Sequence, residues 1–447
     1  MRARFQRGPT SLTASTQRLA VLGAGPKALA LVAKADALRS AGYSGPEIVV
    51  IDEHDVAANW VGEHGYTDGR QPLGTPPEKD VGYPYASQWG DESGQVDQRM
   101  LGLAWQSFLA RPQPGQAMTF AEWVDRGRPQ PTHGQWARYL RWVAEQLQLK
   151  PENGCATELD VSDGRWTITL DDGRTRIEAD GLVITGPGPA KVAYERQPIG
   201  HKRVLDGREF WQNLERLSQE HLSSVCVIGT GETAAAVTVA LVNILPDDST
   251  IEVVSTHGVV YSRGESFEEN RLFSDPKGWE RLTPAHRQEF VRRTDRAVFS
   301  REAKRVLDQA RGVRPKAGRV LELSPYELGV YVTVAYESDS DGNAEQPPET
   351  YDLVVVAVGF DPCWFLGLMT DRVRERLDEA TLADAESGLA ERLELSIGAD
   401  LSVEGLLPRL HVPMLAGFRQ GPGFPNLSSL GRLSDRILKP YFTPPET

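Results

Sequence analysis

Cysteine is scarce in this chain. Cys155, Cys226 and Cys363 are the only three in 447 residues, far apart and with no CxxC pair among them. That excludes disulfide redox chemistry and a thiolate zinc site, and it suits a reducing cytoplasm. The eight histidines show no metal-ligand spacing and no Ser/His/Asp constellation, so neither a metal nor a protein nucleophile is expected. Positive charge is also short: 49 Lys and Arg against 62 Asp and Glu leave a formal charge of −13. Such a surface repels a phosphate backbone, and nucleic acid is not an expected partner. Long hydrophobic runs are missing as well. Stretches such as Leu353 to Val358 fall far short of the ~20 residues that span a bilayer and read instead as buried parallel strands. The first eighteen residues hold Arg2, Arg4, Arg7 and Arg18 without the apolar core of a secretory signal, so residues 1–17 are expected to form a frayed tail.

What is present is a globular composition, 40% hydrophobic and 25% charged, in a chain long enough for two or three domains. Arg18 to Gly23 reads as an apolar strand, Lys27 to Ala41 as a helix ended by Gly42, and Glu47 to Asp52 as a second strand. This βαβ grammar returns at Val225 to Gly229, Glu232 to Ile244 and Ile251 to Ser255. Two nucleotide-binding units about two hundred residues apart are therefore expected. Between them lie a Gly/Pro-rich stretch from Trp60 to Tyr85, too long for a plain connector, and a Trp-rich segment from Phe120 to Val143. Trp105, Trp123, Trp136, Tyr139 and Trp142 are expected to pack in a core. The polar insertion Ser338 to Thr350 reads as an exposed hairpin or loop.

The turn Gly23-Ala24-Gly25-Pro26-Lys27-Ala28 joins a strand to a helix. Its glycines permit a tight turn and close backbone approach, and the helix N-terminus faces a pyrophosphate. Asp52 ends the next strand where an acid binds a ribose hydroxyl, with Glu53 as the competing candidate. Gly229-Thr230-Gly231-Glu232-Thr233-Ala234 repeats the pattern. There the following strand ends in Ser255, with Arg263 nearby and no carboxylate to repel a 2′-phosphate, which favours NADPH over NADH. The buried runs Leu182 to Thr185 and Leu353 to Val358, each after an acid and before a glycine, read as the strands by which the chain passes between two dinucleotide domains.

The blocks Glu78-Lys79-Asp80-Val81-Gly82-Tyr83-Pro84-Tyr85, Phe120 to Pro129, Pro131-Thr132-His133, Arg263 to Asn270 and Gly421 to Ser428, together with Trp60, resemble the flavin-dependent N-hydroxylating monooxygenases. More narrowly, from about residue 18 to 440 the chain is similar to the lysine N6-hydroxylases of mycobactin and nocobactin siderophore biosynthesis. The resemblance implies an α/β flavoprotein with two dinucleotide-binding domains: an FAD domain from residues 18–200 and 351–447, and an inserted NADPH domain from 201–350 that includes a substrate-binding segment, 261–300. It implies FAD and NADPH as cofactors, L-lysine and O2 as reactants, a C4a-hydroperoxyflavin route to N6-hydroxylysine, a cytoplasmic location and a homo-oligomer. Oxygenation of another amine, a ketone or a sulfide, and uncoupled NADPH oxidation, are the alternatives.

Position by position, Lys79 matches the family lysine that holds the substrate amino acid, Asn270 an asparagine at its amino-acid end that also approaches the nicotinamide, and Ser428 a serine beside flavin and substrate. Ser428 is alternatively a cap of the following helix. Asp295 stands where ornithine-acting relatives carry a second asparagine, and either pairs with the substrate α-ammonium or with Arg296. Gly74 stands where they carry a glutamine. The FAD contacts implied are Gly23, Gly25, Pro26, Lys27, Asp52, Trp60, Asn426 and Leu427; the NADPH contacts are Gly229, Gly231, Glu232, Thr233, Ser255, Arg263 and Asn270.

Overall fold

The computed structural model describes residues 17–64, 67–111, 118–193, 198, 200–336, 344–345, 347–381 and 388–445. Residues 1–16 of the expected tail and most of the Ser338 to Thr350 insertion lie outside them. The first repeat forms β1 (Arg18–Leu22), α1 (Pro26–Ser40) and β2 (Glu47–Asp52). The chain continues through α2 (His133–Gln146), β3 (Glu152–Asn153) and β4 (Gly181–Ile184). The second repeat follows as β5 (Val204–Asp206), β6 (Ser224–Ile228), α3 (Glu232–Ile244) and β7 (Thr250–Ser255). After it come α4 (Phe267–Ser274), α5 (Pro284–Thr294), β8 (Val313–Ala317), β9 (Leu353–Val356), β10 (Arg409–His411) and α6 (Leu430–Leu438).

Two parallel five-stranded sheets result. The first runs β10-β4-β1-β2-β3 and draws its strands from both ends of the sequence. The second runs β8-β7-β6-β9-β5 and lies wholly between residues 204 and 356. Central strands of such sheets are covered on both faces and are apolar; β4 and β9 are buried along their whole length, whereas the edge strands β3 and β8 are largely exposed.

The second sheet separates two apolar cores. Val225, Val227, Leu353 and Val355 pack toward α3, whereas Cys226, Ile228, Val354 and Val356 pack toward an antiparallel pair, Arg319–Pro325 with Val330–Tyr336. The buried aromatics of the first half, Trp105 and Trp123 together with Trp136, Tyr139 and Trp142 of α2, belong to one continuous core around the first sheet. Thr132 and Gln135 close a reciprocal cap at the start of that helix. Among the described residues no helix is long and apolar enough to cross a membrane.

The segment 261–300 is an excursion from the second sheet. Its ends pair as two short parallel strands, Tyr261–Ser262 and Val298–Phe299, around α4 and α5. It docks on the first half rather than its own: the Trp279 indole N–H donates to the Phe418 carbonyl at 2.9 Å, and Arg432 Nε donates to the Ser274 carbonyl at 3.0 Å. That docking assembles the site described next.

Candidate active site

Each glycine motif opens onto a cavity. The first is about 860 Å³ and is lined by Gly23, Gly25, Pro26, Lys27, Asp52, Trp60, Asn426 and Leu427, which are the residues expected there from sequence. The second is about 1080 Å³ and includes Gly229, Gly231, Glu232, Thr233 and Ser255.

The two motifs use their glycines in the same way. Gly23 and Gly229 sit at φ +100° and +123°, and a Cβ there would lie 2.6 Å from Thr185 Oγ1 and 2.4 Å from the Ala357 carbonyl oxygen. Only glycine fits such a turn. At Gly25 and Gly231 a Cβ would meet nothing within 4 Å, so each of these glycines borders open space. Both are N-caps without a side-chain capping bond. The first-turn N–H groups of α1 and α3 therefore have no side-chain acceptor, and a helix N-terminus of this kind suits a pyrophosphate. On these observations the residues present fit FAD in the first cavity and a nicotinamide dinucleotide in the second.

Several contacts refine the expected roles. Asp52 Oδ2 accepts from the Ala24 N–H at 2.6 Å and Oδ1 from the His54 N–H at 2.9 Å, so this carboxylate braces the glycine turn while lining the cavity. The competing Glu53 is not part of that lining and faces His54. Lys27 Nζ donates to the Pro425 carbonyl at 2.8 Å, tying α1 to the C-terminal segment, and burial lowers its pKa to about 8. Trp60 meets His133 edge to face at 4.9 Å. Sequence reasoning gave His133 no individual role, yet it lines the first cavity and bonds Thr67 at 2.8 Å; burial lowers its pKa to about 4, so the ring is neutral.

A polar cluster stands at the edge of the first cavity. Lys79 Nζ donates to Asn270 Oδ1 at 2.7 Å. Arg263 donates to Ser428 Oγ at 3.1 Å and, at 3.4 Å, to Thr75 Oγ1. The Ser428 N–H donates to Asn426 Oδ1 at 2.8 Å, and Asn426 Nδ2 donates to Asp295 Oδ1 at 3.1 Å. Lys79, Ser428 and the pair Asn270 and Asp295 of the 261–300 excursion come from three distant stretches of sequence. The docking of the 261–300 excursion brings them together.

Local structure aims each one. The Asp80 carboxylate receives the N–H groups of Gly82 at 3.1 Å and Trp105 at 2.8 Å and the Tyr85 hydroxyl at 2.5 Å, fixing the turn that presents Lys79. Asn270 rides on α4, whose N-cap Ser266 forms a reciprocal capping box with Glu269. Asp295 follows the last turn of α5. Burial is the main cause lowering the Lys79 pKa to about 8, with the Arg263 charge adding to it. Burial also raises the Asp295 carboxyl, opposed by Arg263.

One expected placement changes, and two open alternatives are decided. Arg263 was expected near a 2′-phosphate, but it lines the first cavity and reaches Ser428; the guanidinium and imidazole groups lining the second cavity are those of Arg296, Arg319 and His257. The reason is that strand 261–262 lies off the second sheet, paired with 298–299 at the base of the docked excursion. Asn270 bonds Lys79 and is part of neither cavity's lining. Of the two partners open to Asp295, Arg296 pairs with Glu394 at 2.7 Å, which leaves Asp295 facing the cluster. The capping role considered for Ser428 is not taken: α6 has Ser429 at its N-cap, with no side-chain cap. Gly74 lines the first cavity, and a Cβ there would lie 3.2 Å from the side-chain Oε2 of Glu232.

Comparison with known proteins agrees with this geometry. Residues 113–309 match the family model described as L-lysine 6-monooxygenase/L-ornithine 5-monooxygenase. The chain is 41% identical over 425 residues to the L-lysine N6-monooxygenase MbtG of Mycobacterium sp. (strain MCS), covering 95% of each, and 40% identical over 428 residues to MbtG of Mycobacterium tuberculosis, again covering 95% of each. The solved lysine monooxygenase NbtG from Nocardia farcinica superposes with a TM-score of 0.79 at 40% identity, covering 95% of this chain and all of that one. An ornithine N-hydroxylase from Kutzneria sp. 744, at 17% identity and a TM-score of 0.70, shares the fold. With such identity over nearly its whole length, this chain belongs to the L-lysine 6-monooxygenase/L-ornithine 5-monooxygenase family.

Proposed function

We propose that this enzyme hydroxylates the side-chain amine of L-lysine, consuming NADPH and O2 and yielding N6-hydroxylysine, NADP+ and water, a precursor of a hydroxamate iron chelator. The observation that carries the reading is the Lys79–Asn270 pair beside Asp295 and Ser428 at the edge of the first cavity. FAD held there, once reduced by NADPH, supplies the activation of O2 and the transferred oxygen atom.

The chain contributes position, charge and exclusion of water. The first half, residues 18–200 and 351–447, holds FAD with the α1 N-terminus at the pyrophosphate. The insert, 201–350, holds NADPH at the α3 N-terminus. Lys79 and Asn270 hold the carboxylate of the substrate and Asp295 its α-ammonium, so that the aliphatic stem carries the ε-amine toward the flavin. Ala236, Val239 and Ala240 of α3 line the first cavity and give it an apolar wall. Only the neutral amine has a lone pair to offer, and its free pKa is about 10.4; an apolar surrounding disfavours the ammonium and shifts the balance toward the reactive form. The enzyme works in the cytoplasm as a homo-oligomer, which sedimentation velocity checks.

The test is a parallel measurement of hydroxylamine product, hydrogen peroxide and NADPH consumption on FAD-loaded protein with L-lysine, L-ornithine or no amine. Lysine-dependent hydroxylamine is the expected outcome. NADPH oxidation that yields peroxide alone in all three would overturn the substrate while leaving the cofactors.

A further inference from the structure

The structure brings a second cation to the substrate cluster, from a residue that sequence reasoning placed in the other cavity. Lys79 Nζ and the Arg263 guanidinium face the same Phe273 ring, at 5.9 Å and 4.9 Å from its centroid. Lys79 is buried, with an exposure of 7%, and Arg263 is half-buried. Among the described residues no carboxylate lies within 4.0 Å of either. Arg263 spends its contacts on two neutral hydroxyls, Ser428 and Thr75. The carboxylate bonded into the cluster is Asp295, held by Asn426 on the far side of Ser428.

We propose that Arg263 is a specificity-determining residue of the substrate site, joining Lys79 in holding the α-carboxylate of a free amino acid, so that a substrate whose carboxylate is capped as an ester, amide or thioester is rejected. This inference rests on the reading of the site as an amino-acid site. Charge balance argues for it. Two cations and one carboxylate complement a zwitterionic head group, whose carboxylate meets Lys79 and Arg263 while its α-ammonium meets Asp295. A capped head group keeps only the ammonium and leaves Lys79 and Arg263 with no bonded anion, since Glu265, which favours the Lys79 ammonium, and Glu232, which feels the Arg263 charge, stay beyond 4.0 Å of both. Unpaired charges of that kind are far costlier to enclose than paired ones. The planar guanidinium also supplies two parallel donors to a carboxylate, which an ammonium cannot. The two cations disfavour each other: after burial, the Arg263 charge is the next cause lowering the Lys79 pKa, opposed by Glu265.

The experiment is equilibrium calorimetry on the FAD-loaded full chain, without NADPH, using L-lysine, L-lysinamide and 6-aminohexanoate as probes, and L-ornithine with its amide as a parallel pair. The wild type is expected to bind the free acid about 100-fold more tightly than the amide. Arg263→Gln is expected to weaken L-lysine by a comparable factor, leave lysinamide nearly unchanged and so collapse the acid/amide ratio. Arg263→Lys restores part of it. FAD absorbance and the melting temperature show that the variants are folded, and NADP+ affinity is read alongside. An acid/amide ratio that survives Arg263→Gln, or a loss confined to NADP+, overturns the proposal and returns Arg263 to the nucleotide. If the ornithine pair binds and the lysine pair does not, the lysine reading fails, and the ornithine acid/amide ratio still decides the role of Arg263.

Discussion

Lys79 is a cation held where a cation is disfavoured, and its value to the site depends on keeping its proton. With a pKa lowered to about 8 chiefly by burial, it is charged at pH 7 and able to attract a carboxylate; above pH 8 the ammonium becomes a neutral amine. Lysine affinity is therefore expected to fall as pH rises from 7 to 9.5, with the bound carboxylate moving the midpoint upward, since an adjacent anion favours the protonated form. Calorimetric titration of L-lysine across that range checks it. Replacing Lys79 by Met is expected to raise KM for lysine by about 100-fold while FAD content stays unchanged. The neighbouring Asp80 acts one step back. Asp80→Ala strands three buried donors and is expected to cost about 1–3 kcal/mol, read as a lower melting temperature together with weaker lysine binding.

At the scale of the element, the two motif helices offer a clean separation of function. Gly25 and Gly231 border open space, so Gly25→Val is expected to empty the first cavity of FAD, and Gly231→Val to raise KM for NADPH with FAD retained. FAD absorbance and steady-state kinetics tell them apart. Gly23→Ala differs in kind, because φ +100° and Thr185 Oγ1 at 2.6 Å strain the fold itself. These elements were legible in the sequence. Strand β2 and helix α3 start and stop at the residues expected, and β1, α1 and β6 lie within one residue of expectation, because apolar runs bounded by Gly and charge are local signals. The placement of Arg263 was not legible. The chain is already off the second sheet at Tyr261, and the excursion it enters is anchored by Trp279 reaching Phe418, 139 positions away in sequence. His133 was hidden for the same reason: its partner Thr67 lies 66 positions away, and a lone polar residue carries no mark of what it will face.

Across the whole molecule, the two chain ends of the first half are held by a buried charge. Lys34 Nζ on α1 pairs with Asp435 on α6 at 2.8 Å, with side-chain exposures of 1% and 11%, and Asp435 also accepts the Trp89 indole N–H at 2.7 Å. Lys34→Met is expected to destabilise by about 3–5 kcal/mol because Asp435 is left buried and uncompensated, and adding Asp435→Leu is expected to recover part of the loss. Denaturant unfolding of the single and double variants measures it. The sheet order carries a consequence for synthesis. Strand β10 closes the first sheet against β4, pairing Arg409 with Gly181, whereas every strand of the second sheet lies between residues 204 and 356. A ribosome making this chain has thus released all the strands of the second sheet while the first still has an open edge. The half that begins the polypeptide is the half that finishes folding last.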